Sequence, residues 1–165
     1  MYTFHSMVFV FVLLTFWACS PGPDKNIYII RHAEKMAEGN DPELTEEGKA
    51  RAERLSRILE KENITAIYST DTKRTKATVM PLASKKGITI DLYDVHDHDA
   101  LIARIRKQEG DAVVVGHSNT IHHVANYFVG TGKKLEEIED PDYENIFVAR
   151  TKSKKVDRKR YDDFR

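Results

Sequence analysis

Two apolar runs, Ile27-Tyr28-Ile29-Ile30 and Ala112-Val113-Val114-Val115, each stop abruptly at a polar segment that carries a histidine. Runs of this length, bounded by charge or glycine, read as buried strands. The segments behind them are Arg31-His32-Ala33-Glu34-Lys35 and Gly116-His117-Ser118-Asn119. Short strands that alternate with helical periodicity constrain a chain to an α/β architecture. In such sheets the loops at the carboxyl ends of the strands bind ligands. If the two strands run parallel, both histidines stand at one ligand-binding edge.

The other elements fit that frame. Residues 26–31 form the first strand. Asn40-Asp41-Pro42 marks a loop, and Thr45 with Glu46 and Glu47 reads as an N-cap followed by an acidic first turn. Leu55, Ile58 and Leu59 share one face of a helix that ends near Asn63. Residues 64–69 are a second strand, and a helix follows over 72–84, with Pro81 predicting a kink or break near its end. A short strand over 88–92 leads to a helix marked by Leu101, Ile102 and Ile105. After the strand at 112–116, residues 119–129 read as a helix closed by Gly130. Residues 144–150 and 154–160 suggest an antiparallel strand pair. The expected fold is a three-layer α/β/α sandwich with a central, mostly parallel sheet and an antiparallel C-terminal strand.

The first eighteen residues differ from everything after them. They hold no Asp, Glu, Lys or Arg, and Val8 to Ala18 is almost entirely apolar. That stretch fits a signal-peptide core and falls short of the ~20 residues of an ordinary membrane span. Ala18-Cys19 resembles the cleavage site of a bacterial lipoprotein, with Cys19 lipidated. Residues 19–24 then read as a tether, and the folded domain is expected over 25–165. On this reading the protein is exported, periplasmic or outer-membrane-attached, and touches a membrane only through Cys19. Without the signal it would be cytoplasmic. The single cysteine allows no internal disulfide. Lys plus Arg and Asp plus Glu both number 26, so no global charge draws the chain to nucleic acid. A monomer is expected.

A third junction completes the pattern. Tyr68-Ser69-Thr70-Asp71-Thr72-Lys73-Arg74-Thr75 leaves the second strand and places Arg74 in the first turn of the next helix. Two arginines, two histidines and a helix N-terminus would then meet at one sheet edge. Arginine forks bind phosphate oxygens in bidentate fashion, and helix N-termini favour anions. The ordered set Arg31-His32-Ala33-Glu34-Lys35, Leu44-Thr45-Glu46-Glu47-Gly48, Ile67-Tyr68-Ser69-Thr70 with Arg74 and Thr78, and Gly116-His117-Ser118-Asn119-Thr120 resembles the histidine phosphatase, or phosphoglycerate-mutase-like, superfamily. The compact length is similar to its small, phosphohistidine-phosphatase-like branch.

That resemblance implies a nucleophilic His32 that forms a phosphohistidine, with Arg31, Arg74 and His117 holding the phosphoryl oxygens. Ser118 and Asn119 would bind substrate, with Glu34 and Lys35 as further candidates; Glu34 could equally form an ion pair with Lys35 or Arg74. A general acid is expected in the loop over 94–99, with Asp94 or Asp97 as candidates and helix capping as their alternative role. His96-Asp97-His98 has a spacing that can ligate zinc, though in an acidic loop it reads as solvated. No metal or cofactor is expected, because the arginines supply positive charge. The partner is a small phosphorylated substrate or a phosphoprotein. The rival readings are phosphoglycerate-mutase-type transfer and a non-catalytic phosphate-binding lipoprotein.

Overall fold

The computed structural model describes residues 23–139 and 141–164; the segment read as a signal, Cys19 and the tether up to residue 22 lie outside them. In chain order the elements are β1 (Asn26–Arg31), α1 (Glu46–Leu59), β2 (Ile64–Ser69), α2 (Lys73–Lys86), β3 (Ile90–Leu92), α3 (His98–Lys107), β4 (Asp111–Gly116), α4 (Ser118–Asn126), β5 (Asn145–Arg150) and β6 (Val156–Arg160). A short 3-10 turn, Tyr161–Phe164, follows. The sheet order is β3-β2-β4-β1-β5-β6. Strands β1 to β4 are mutually parallel, β5 pairs antiparallel with β1, and β6 pairs antiparallel with β5.

Connection handedness follows from this order. The chain moves outward from β1 through β2 to β3, then returns to insert β4 between β2 and β1. Right-handed crossovers therefore put α1 and α2 on one face and α3 on the other, where α4 packs beside it. Two cores record that division. Leu55 and Leu59 of α1 and Val79 and Leu82 of α2 pack on Tyr28, Ile30 and Val115. Leu101, Ile102 and Ile105 of α3, with Ile121 and Val124 of α4, pack on Ile27, Ile29 and Val114. The period-2 alternation of strand side chains sends neighbours in β1 to opposite layers. The protein is a three-layer α/β/α sandwich.

Local differences from the sequence reading have identifiable causes. Helix α1 stops at Leu59, before Asn63. Helix α2 runs through Pro81 to Lys86, because Val79, Leu82 and Ala83 hold it against the sheet on both sides of the proline. Strand β3 keeps only three residues. Helix α4 ends at Asn126 and not at Gly130. The Asn126 side chain turns to bind Leu135, while Gly130 N donates to Lys154 O at 3.1 Å. Asp24, grouped with the tether by composition, accepts from Lys152 N at 2.7 Å and so fastens the chain to the β5–β6 turn.

Candidate active site

The register brings three strand ends together. Arg31 pairs with Gly116 across β1 and β4, and Ser69 pairs with Val115 across β2 and β4. His32, Thr70 and His117 are the next residues of their chains, so they emerge side by side. His32 N continues the ladder by donating to Gly116 O at 2.9 Å. Gly116 has no side chain for a reason of space: a Cβ there would lie 2.7 Å from the Tyr93 hydroxyl. Helix α4 starts directly behind His117, and Thr120 Oγ1 reaches back to accept from His117 N at 3.2 Å.

His32 is buried, and its Nδ1 lies 2.8 Å from Ala33 O. A carbonyl only accepts, so Nδ1 carries the proton and Nε2 keeps a lone pair. Burial pushes the His32 imidazole down to about 4, and the neighbouring Arg31, Arg74 and His117 add to that, against the opposing bond to Ala33. His117 stands 5.5 Å from His32, ring to ring and edge-on. Arg74 Nη2 donates to His117 Nδ1 at 3.5 Å, and guanidinium cannot accept. The His117 proton therefore sits on Nε2, which donates to Thr70 Oγ1 at 3.1 Å. Burial, then Arg74 and Arg31, lower His117 to about 4 as well. Both rings are neutral near pH 7.

Helix α2 ties Arg74 to the nucleophile's loop. Thr78 Oγ1 donates to Arg74 O at 2.7 Å and accepts from Ala33 N at 2.9 Å. Outside, Asp41 accepts from Lys73 N at 3.1 Å and from Arg74 Nη1 at 3.3 Å. Arg31 is buried, with its Cζ 4.1 Å from the centre of the Tyr143 ring. These groups open onto a cleft of about 530 Å³, walled also by Lys35, Ser118, Asn119 and Thr120. A larger groove of about 1270 Å³ lies between α1 and α2, but no histidine lines it. The smaller cleft is the one with chemistry.

Several candidates lie elsewhere. Glu34 does not line the cleft; its carboxylate is gripped by Arg51 through Nε at 2.9 Å and Nη2 at 2.6 Å, and pairs with neither Lys35 nor Arg74. Asp94 is turned inward on its own loop, accepting from His96 N at 2.8 Å. Asp97 caps α3 by accepting from Ala100 N at 3.0 Å. Neither aspartate reaches the cleft wall, whereas Val95 and His96 between them do. His98 turns to His123, 6.1 Å away ring to ring. Among the described residues no three His, Cys, Asp or Glu side chains gather as metal ligands.

Two residues at the site have no counterpart in the sequence reading: Tyr143, which packs on Arg31 and His32, and Glu137 on the cleft wall. Tyr143 could have been found from strand pairing: the Ile30–Ile146 register carries the residues before β5 past the end of β1. Glu137 lines the cleft from the segment between α4 and β5, which has no periodicity to place it.

Residues 27–97 match the histidine phosphatase superfamily, branch 1. That stretch contains Arg31, His32 and Arg74, so the resemblance carried by the motifs stands. No curated protein sequence matches the chain. Among solved structures, the protein histidine phosphatase SixA complexed with tungstate superposes with a TM-score of 0.67 at 12% identity, covering 85% of this chain and 99% of that one. A mycobacterial glucosyl-3-phosphoglycerate phosphatase in complex with inorganic phosphate gives 0.60 at 15% identity, covering 81% and 95%. At these identities the likeness is one of fold, and it includes the small SixA type.

Proposed function

We propose that the chain is a phosphatase that hydrolyses phosphomonoesters or phosphoramidates through a covalent phosphohistidine on His32, with no metal ion taking part. The observation that carries this reading is the Nδ1 bond of His32 to Ala33 O, which leaves an unprotonated Nε2 among Arg31, Arg74 and His117. Nε2 attacks phosphorus, the bond to the leaving group breaks, and water then cleaves the phosphorus–nitrogen bond. The arginines and the amides at the start of α4 balance the charge on the phosphoryl oxygens, the task that a metal performs in other phosphatases. The structural neighbours bound to tungstate and to inorganic phosphate support an oxyanion in this cleft.

The test is turnover of a chromogenic aryl phosphate by the purified full-length chain and by His32→Ala, with and without chelator. Chelator-resistant turnover that vanishes in the variant is expected. Phosphate binding without turnover would refute the enzyme reading, and chelator-sensitive turnover would refute metal independence.

Export and anchoring are proposed with it. The apolar stretch over 8–18 followed by Ala18-Cys19 supports a lipoprotein. Metabolic labelling with palmitate that persists in Cys19→Ala would overturn this.

A further inference from the structure

We propose that Glu137 is the catalytic proton donor of this site; the inference rests on the phosphatase reading above. A leaving alkoxide needs a proton, and a carboxylic acid near the ester oxygen is the ordinary source. Other nearby carboxylates are held elsewhere or stand off the cleft: Glu34 is bound to Arg51, Asp41 to Lys73 N and Arg74, Asp94 to His96 N, Asp97 to the cap of α3 and Glu136 to Lys133, while Glu139 borders the hollow beside the cleft and not the cleft itself. Glu137 is the only carboxylate among the described residues that line the cleft, and among those residues no ion pair or hydrogen bond holds it.

Its position is built and not incidental. Leu135 N donates to Asn126 Oδ1 at 2.8 Å, and Asn126 Nδ2 returns a bond to Leu135 O at 2.9 Å. One residue beyond Glu137, Ile138 is 2% exposed in the core beneath α4. Two anchors thus bracket a two-residue tip. Glu137 also borders a second hollow of about 550 Å³, which shares Ser118 with the cleft. It therefore stands at the seam between the phosphate end and the space beside it. With the phosphoryl group on the arginines and histidines, the leaving group points into that hollow.

The steps balance as follows. His32 Nε2 forms a bond to phosphorus as the phosphorus–oxygen bond breaks, and the Glu137 carboxyl gives its proton to the departing oxygen. The resulting carboxylate then removes a proton from the water that attacks the phosphohistidine, and His32 Nε2 leaves with its electron pair. His96, also on the wall, is the rival donor.

The full-length chain, Glu137→Gln, Glu137→Asp, His96→Asn and His32→Ala are compared on an alkyl phosphate and on 4-nitrophenyl phosphate, whose leaving group departs without a proton. Glu137 is exposed, so its replacement leaves the fold intact. Expected is a loss of about 100-fold or more in kcat for the alkyl ester in Glu137→Gln. The aryl ester should change less than threefold, the alkaline limb of the alkyl-ester pH profile should disappear, and Glu137→Asp should recover part of the rate. Parallel loss on both esters, unchanged alkyl turnover, an alkyl defect in His96→Asn alone, or a wild-type chain inert toward alkyl esters would each overturn the proposal. Activity surviving in His32→Ala would instead overturn the phosphatase mechanism itself.

Discussion

Replacing Gly48 with alanine should damage catalysis from outside the cleft. Gly48 is the third residue of α1, and a Cβ there would stand 2.2 Å from the carbonyl oxygen of Glu34 and 3.1 Å from its carbonyl carbon and nitrogen. Real contacts of this kind stay beyond 3.0 Å, so the helix and the loop must separate by about 0.8 Å. The loop cannot simply retreat, because Glu34 O accepts from Thr45 N at 2.9 Å and Thr45 caps the same helix. Two effects compete. Alanine gains about 1 kcal/mol of helix propensity over glycine. Overpacking costs about 1–3 kcal/mol, and here the obstacle is backbone that no rotamer change can move. The difference is about 0–2 kcal/mol, and the immovable backbone obstacle puts the net loss toward the upper end. Ala33 O, which orients the His32 ring, is one residue from the displaced carbonyl, and misplacement of a reacting group by about 1 Å can cost 10²-fold. Urea denaturation and steady-state hydrolysis of an aryl phosphate measure both effects. The variant should unfold at lower urea and lose about 10- to 100-fold in kcat. An unchanged midpoint with wild-type kcat would refute the reasoning.

Other perturbations read the same site. His32 and His117 lie at about 4, below the ordinary 6.5, so the native state resists protonation that the unfolded chain accepts. Stability should therefore fall as pH drops from 6.5 toward 4 and level off below, by at most about 3 kcal/mol for His32. The slope should be shallower in His32→Asn; an equal slope would exclude the assignment. A bound dianion favours the His117 imidazolium, so binding of sulfate, which stays a dianion throughout this range, should take up protons near pH 6, seen by calorimetry in buffers of different ionisation enthalpy; zero uptake counts against it. Asp41→Asn removes an anion that competes for Arg74, so KM should fall about two- to fivefold, as suits one exposed charge; a rise in KM would show that Asp41 mainly positions the guanidinium. Tyr143→Leu strips the ring from Arg31, a contact of about 0.5–2 kcal/mol, and should raise KM about 2- to 30-fold. An unchanged KM would show the ring to be a passive wall.

What can be read from the sequence here is what local pattern determines. Apolar runs ending at Arg31 and at Gly116 place His32 and His117 once parallel pairing is assumed, and the structure brings them within 5.5 Å. Arg74 follows, because a helix that begins at Thr72 must present its first turn to the same edge. The expected acid shows the limit of that logic. Asp94 and Asp97 lie in the right loop, but their carboxylates satisfy backbone amides only two or three residues away, a competition common for aspartate at turns and caps. Glu137 was illegible for the opposite reason: its segment has no repeat, and its path is set by distant anchors, Asn126 on α4 and Ile138 in the core. Pro81 misled because propensity is local while the packing of Val79 and Leu82 is not.

The fate of Glu34 explains how a cleft so close to a carboxylate remains an anion site. An ionised side chain two residues from His32, facing the cleft, would compete with substrate for Arg31 and Arg74. Arg51 on α1 removes it, binding Glu34 from one side and Glu144 from the other at 2.5 Å. Arg51 and Glu34 are only 11% and 13% exposed, so breaking the pair would leave a charge largely stripped of water. Losing one partner of such a pair costs about 3–5 kcal/mol in buried settings, and removing Arg51 takes the cation from both Glu34 and Glu144. Arg51 also joins α1, the nucleophile's loop and the start of β5, where Tyr143 stacks on Arg31. Arg51→Met should thus act twice: it frees Glu34 to swing toward the arginines, and it loosens Tyr143. The first effect is electrostatic and disappears when Glu34 is also neutralised, while the second does not. Phosphate affinity in Arg51→Met compared with Arg51→Met/Glu34→Gln separates them. Recovery in the double variant would show that Arg51 keeps the cleft positive; equal weakness in both would show that it serves only to hold the wall.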